Sequence, residues 1–105
     1  MSIYQPLQLI AIDDDPHMRE MIQDFVSSRF SEAQLTCYAS GEEALQSIFK
    51  KPDLIILDYH LDSSDPMAMN GMQLLNKIKE RFSDAAIVFL SAQESTDIAA
   101  NTIKY

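Results

Sequence analysis

Short apolar runs alternate along this chain with longer stretches in which apolar residues recur every three or four positions. The runs at 7–12, 35–39, 53–57 and 86–90 are compact and bounded by polar residues, as buried strands are. Between the first two, Met18, Met21, Ile22, Phe25 and Val26 form a helical apolar face from Pro16 to about Arg29. Pro16 suits a first helical turn, and Asp14 or Asp15 is placed to cap it. Ser40 with Glu43 three residues on has the spacing of a capping box. It opens a second helix with Ala44, Leu45, Ile48 and Phe49 on its buried face, stopped by Pro52-Asp53. A third helix starts near Gly71 and carries Met72, Leu74, Leu75, Ile78 and Phe82. A polar turn at 91–95 leads to a last expected helix over about 96–105, with Ile98, Ala99, Thr102 and Ile103 on one side.

Strict alternation of strands and helices predicts an α/β fold: a doubly wound parallel sheet with right-handed crossovers and helices on both faces. The run at 53–57 is the most continuously apolar, as expected of a central strand covered on both sides. In such sheets the site lies beyond the carboxyl ends of the strands, at the point where strand order reverses. Asp13, Asp14, Asp58 and Ser91 all fall at those ends, so they are expected to converge from distant parts of the sequence.

Composition narrows the chemistry. A chain of 105 residues is expected to form a single domain, 1–105, and 47% hydrophobic residues supply its core. No apolar stretch approaches the ~20 residues of a membrane helix, and the first residues have no signal-peptide pattern. Cys37 is the sole cysteine, so no internal disulfide forms. A cytoplasmic protein is the expectation. The net charge of −8 argues against direct nucleic acid binding.

The acids themselves are the sharpest signal. Two carboxylates about 4 Å apart repel by roughly 4 kcal/mol at an effective dielectric near 20. Asp13 and Asp14 beside Asp58 therefore imply a divalent cation, and Mg²⁺ suits oxygen donors. Asp58, alone on its strand, is placed to act as a nucleophile toward phosphorus once a cation shields the incoming charge. Ser91 offers a hydroxyl to the attached phosphoryl group. No Cys–His or Ser–His pairing is evident. With only Gly41 and Gly71 there is no glycine-rich phosphate loop, which counts against a nucleotide-binding enzyme.

Four segments in order, Leu9-Ile10-Ala11-Ile12-Asp13-Asp14-Asp15-Pro16, Leu54-Ile55-Ile56-Leu57-Asp58, Asn70-Gly71 and Ile87-Val88-Phe89-Leu90-Ser91-Ala92, resemble the receiver domain of two-component response regulators. The resemblance covers nearly the whole chain. It implies a flavodoxin-like fold and transfer of a phosphoryl group to Asp58 from a sensor histidine kinase or a phosphotransfer protein. It implies that Asp13 and Asp14 hold Mg²⁺, that the backbone carbonyl of His60 is a further ligand, and that Ser91 senses the phosphoryl group. Ala92 matches the small neighbouring residue that leaves the acceptor accessible. A downstream effector or partner protein would read the switch.

Two departures from the family pattern stand out. Gly71 lies thirteen residues after Asp58, further than in the family, so 62–69 reads as an insertion beside the site. The family's fifth strand, fifth helix and phosphoryl-pairing lysine have no match, so the domain is expected to be incomplete at its C-terminal side. The strand at 86–90 would then be a bare apolar edge, and self-association through it or through the third and fourth helices is expected. Two other functions stand beside the switch. One is a degenerate receiver that only mediates contacts. The other is a phosphatase with an aspartate nucleophile, which would need an acid where the chain has His60. The expected protein is not an enzyme acting on an outside substrate.

Overall fold

The computed structural model describes residues 5–61 and 67–90, and the backbone of 102–104. Four parallel strands, β1 (Gln8–Ile12), β2 (Gln34–Tyr38), β3 (Leu54–Asp58) and β4 (Ile87–Leu90), alternate with α1 (Pro16–Arg29), α2 (Gly41–Ser47) and α3 (Gly71–Arg81). A short β5 (Thr102–Lys104) completes the sheet, whose order is β2-β1-β3-β4-β5. The order of the parallel strands is that of flavodoxin-like folds. The chain steps outward from β1 to β2, then back across β1 to β3, so the switch point lies between β1 and β3.

Side chains alternate across the sheet and feed two cores. On one side Ile12, Ile55, Leu57, Ile87 and Phe89 meet Ala44 of α2 and Leu74, Leu75 and Ile78 of α3. On the other, Leu9, Ala11 and Leu90 meet Ile22 and Val26 of α1. The first side is the more deeply buried. Ile55, Leu57 and Phe89 there are fully covered, whereas Leu54, Ile56 and Val88 on the α1 side are half-buried.

The helices begin where the side-chain caps dictate. Asp15 accepts the N–H of His17 to start α1, and Ser40 accepts the N–H of Glu43 to start α2. Asn70 and Gln73 form a reciprocal capping box at α3. α2 is shorter than its sequence pattern predicts. It stops at Ser47, Ile48 caps it with extended backbone, and Phe49 is 79% exposed instead of buried. Its end is held from α3, where Arg81 Nη1 donates to the carbonyls of Leu45 at 2.7 Å and Ile48 at 2.8 Å. Two carbonyls that a helix end leaves unpaired are thereby satisfied by a cation, which also suits the helix dipole.

The expected helix at 96–105 needs correction. Residues 91–101 lie outside the described residues, but Thr102–Lys104 is a strand, pairing antiparallel with β4 through Val88↔Lys104, Phe89↔Ile103 and Leu90↔Thr102. The β4 edge is therefore paired, not bare. The bare β4 edge on which the expected self-association rested is covered from Val88 to Leu90 by β5, which becomes the edge of the sheet. Thr102 and Ile103 are β-branched, which favours the extended form once a partner strand is available.

Candidate functional site

The register of β1 and β3 builds the site. Ile12 pairs with Leu57, so Asp13 and Asp58 emerge side by side at the carboxyl edge. One carboxylate oxygen from each of Asp13, Asp14 and Asp58 lies within 4.8 Å of the others. Ligands on opposite sides of an octahedral Mg²⁺ stand about 4 Å apart, given bonds of roughly 2.0–2.1 Å. The three carboxylates are thus close to the span of one small hard cation, and all three donors are oxygen. The residues fit the ion that the sequence implies.

The loops that carry the acids are tightly bonded. Asp13 donates its N–H to the Tyr38 carbonyl at 3.1 Å, which extends the sheet one position past β1. Its Oδ1 accepts the N–H of Asp15 at 2.9 Å. Asp58 Oδ1 accepts the N–H of His60 at 3.0 Å, an equivalent turn after β3. Tyr59 N–H continues the ladder to the Leu90 carbonyl at 2.9 Å.

Electrostatics place the cluster under strain. Asp13 is only 3% exposed. Burial pushes its carboxyl up to about 7, and the charges of Asp58, Asp14 and Asp15 push the same way, against the bond from Asp15. Asp58, half-buried, is also raised, chiefly by burial and then by Asp14. Among the described residues no ion pair reaches these acids. Negative charge is concentrated and left for a cation to balance.

Gly71 forms the wall behind Asp58. A Cβ at this position would stand 2.8 Å from the Asp58 carbonyl oxygen, 3.1 Å from that of Tyr59 and 3.3 Å from the Phe89 ring. The first two contacts are backbone and cannot swing aside. Gly71→Ala is expected to destabilise the domain by about 1–3 kcal/mol through overpacking, although alanine ordinarily favours a helix by about 1 kcal/mol. Urea unfolding measures this; an alanine variant as stable as the parent would refute the close approach. Tyr59, 44% exposed, lies edge-on to both Phe89 and His60, with ring centroids 5.6 and 5.1 Å away.

Of the residues singled out from sequence, Asp13, Asp14 and Asp58 meet, and His60 adjoins them through its N–H. Ser91 and Ala92 follow β4 immediately and lie outside the described residues. Asp15 is a helix cap, as expected, and His17 is exposed. Cys37 is half-buried beside Gln23. The structural role of Gly71 is not visible in the sequence beyond its place at a helix start, because its neighbours come from β3 and β4. Part of the inserted stretch, 62–66, lies outside the described residues. Met67 is exposed, and the Met69 N–H donates to Glu42 Oε2 at 3.0 Å, tying the loop's end to α2.

Residues 9–105 match the family model of the response regulator receiver domain. The chain is 34% identical over 89 residues to a protein-glutamate methylesterase/protein-glutamine glutaminase of Bacillus subtilis, covering 84% of this chain and 24% of that one. It spans less than half the length of curated relatives such as the nitrate/nitrite response regulator NarL of Escherichia coli. Among solved structures it resembles the response regulator TrrA of Thermotoga maritima in complex with Mg²⁺ and BeF, with 26% identity and a TM-score of 0.69 over 84% of this chain and 71% of that one. TrrA in complex with the histidine kinase ThkA gives 25% identity and a TM-score of 0.67 over 90% of this chain and 78% of that one.

Proposed function

This chain belongs to the response regulator receiver domain family, and on that premise we propose that it is a phosphoacceptor switch with Asp58 as the acceptor. The observation that carries the reading is the meeting of Asp13, Asp14 and Asp58 within 4.8 Å at the switch point of the sheet. Receiver domains bind Mg²⁺ at such an acidic pocket. Here Asp13, Asp14 and Asp58 would hold it through their carboxylates, and His60 through its backbone carbonyl. Bound there, the cation supplies charge neutralisation for an incoming phosphoryl group.

The chain's own part in the reaction follows from its acids. A carboxylate oxygen of Asp58 attacks phosphorus, the P–N bond to the donor imidazole breaks, an O–P bond forms, and the departing imidazole nitrogen takes up a proton. The other carboxylate oxygen stays turned by the His60 N–H. Ser91 is the proposed hydroxyl that follows the attached group, with Ala92 beside it leaving access. A sensor histidine kinase or a phosphotransfer protein is the proposed donor, in keeping with the complex of TrrA with the histidine kinase ThkA, and a downstream effector or partner protein the proposed reader. Phosphorylation adds roughly one to two negative charges, as on serine. The output is a shift between two surface states, and the domain turns over no outside substrate.

The test is incubation with Mg²⁺ and acetyl phosphate. A base-labile adduct that forms with Mg²⁺ and fails to form when the cation is chelated supports the switch. No adduct under either condition leaves the contact-only reading. Sustained phosphate release from many esters would mean a hydrolase instead.

A further inference from the structure

Among the half-buried charged side chains, Arg19 has a placement that the phosphoacceptor reading does not use. It lies in the first turns of α1, and its side chain turns back toward the helix start, as helical side chains do. There Nη1 donates to the backbone carbonyl of Asp13 at 2.8 Å. The Asp13 N–H is already bonded to Tyr38, and its Oδ1 to the N–H of Asp15. Three of the four polar atoms of Asp13 are thus fixed by groups outside the acid cluster, and of these three bonds only the one from Arg19 comes from a side chain.

The bond of the guanidinium goes to a carbonyl and not to a carboxylate. Among the described residues it forms no ion pair with Asp13, Asp14 or Asp58. It therefore braces the peptide between Asp13 and Asp14 without competing for the site that a cation would fill. A charge-assisted bond to a carbonyl is stronger than a neutral one, and one fixed peptide sets the directions of both flanking side chains.

We infer that Arg19 is a positioning residue for the cation site, holding the Asp13–Asp14 peptide in its binding geometry through the bond to the Asp13 carbonyl. The inference rests on the metal reading proposed above. It makes a prediction of definite sign. If Arg19 acted as a nearby positive charge, removing it would tighten cation binding. If it acts as a brace, removing it weakens binding despite the more negative site.

The experiment titrates Mg²⁺ into the wild type, Arg19→Met, Arg19→Gln and Arg29→Met, followed by calorimetry or amide chemical shifts. Arg29→Met removes the same charge from the far end of α1. Urea unfolding of the metal-free proteins is measured in parallel. Both Arg19 variants are expected to need about three- to tenfold more Mg²⁺ for half-saturation, the factor that one hydrogen bond carries. The labelling rate with acetyl phosphate at saturating Mg²⁺ stays within about twofold, because the acceptor itself is untouched. Arg29→Met leaves half-saturation within about twofold. Tighter or unchanged Mg²⁺ binding by the Arg19 variants, with wild type binding normally, overturns the inference while leaving the metal site standing. Absence of saturable Mg²⁺ binding by the wild type overturns the metal reading, and the inference falls with it.

Discussion

Asp58→Asn is expected to abolish labelling by acetyl phosphate, with a loss of at least about a thousandfold at saturating Mg²⁺, while the domain stays folded. An amide oxygen carries no full charge and does not form an acyl phosphate, so the nucleophile is removed outright. The fold has no reason to suffer. The oxygen of the substituted amide would still accept the N–H of His60, the bond that Asp58 Oδ1 now accepts at 3.0 Å. Burial and Asp14 both raise the carboxyl of Asp58, so a neutral side chain there removes a repulsion. Intact-mass measurement and unfolding in urea read the two effects separately. An adduct that persists in the variant at about a tenth of the parent level would place the acceptor elsewhere.

Asp13→Asn is expected to do two opposite things: stabilise the metal-free domain at neutral pH and strip it of most of its response to Mg²⁺. The Asp13 carboxyl is raised from 3.8 to about 7 in the folded state. Between those values the folded chain binds more protons than the unfolded one, so stability falls as pH rises. The stabilising contribution of the protonated form is complete below about pH 4 and lost as pH rises through about 7. At about 1.4 kcal/mol per pH unit across that window, the full swing is of order 4 kcal/mol. Asp58 and Asp14 share the repulsion, so one substitution should recover about 1–3 kcal/mol at pH 7. Metal-free wild type should lose stability from about pH 4 to about pH 7, and Asp13→Asn should show a flatter profile. Saturating Mg²⁺ should reverse the wild-type trend, because ligation favours the ionised carboxylates and adds binding free energy to the folded state. Parallel pH profiles for the two proteins without metal would show that the carboxyl is not strained.

The acids are legible in the sequence alone because a hydrophobic strand that stops at a carboxylate marks both an element end and a chemistry. The 7–12 and 53–57 runs each lead to their aspartates, and β1 and β3 sit beside each other at the switch point. Periodicity is less reliable on α1. Ile22 and Val26 are buried, but Met21 and Phe25 are each 41% exposed. The helix carries two adjoining apolar stripes, and the sheet covers only one of them. Phe49 misleads in the same way: its spacing from Leu45 is helical, but the backbone leaves the helix before reaching it. The strand at Thr102–Lys104 reads as helix because a three-residue strand leaves no periodicity to detect. Its identity comes from β4, a partner that local sequence does not reveal. Gly71 and Arg19 are opaque for a related reason: each acts through a backbone carbonyl that is distant in sequence or lies across a loop.

α2 has only seven residues, too few to persist as a helix on its own. It is fastened at both ends. Glu42 holds the Met69 N–H at one end, where a Cβ on Gly41 would stand only 3.2 Å from Leu74, while Arg81 holds the two carbonyls at the other. In exchange with heavy water, its amide protons should therefore open only when those of α3 do, making the pair a single cooperative unit.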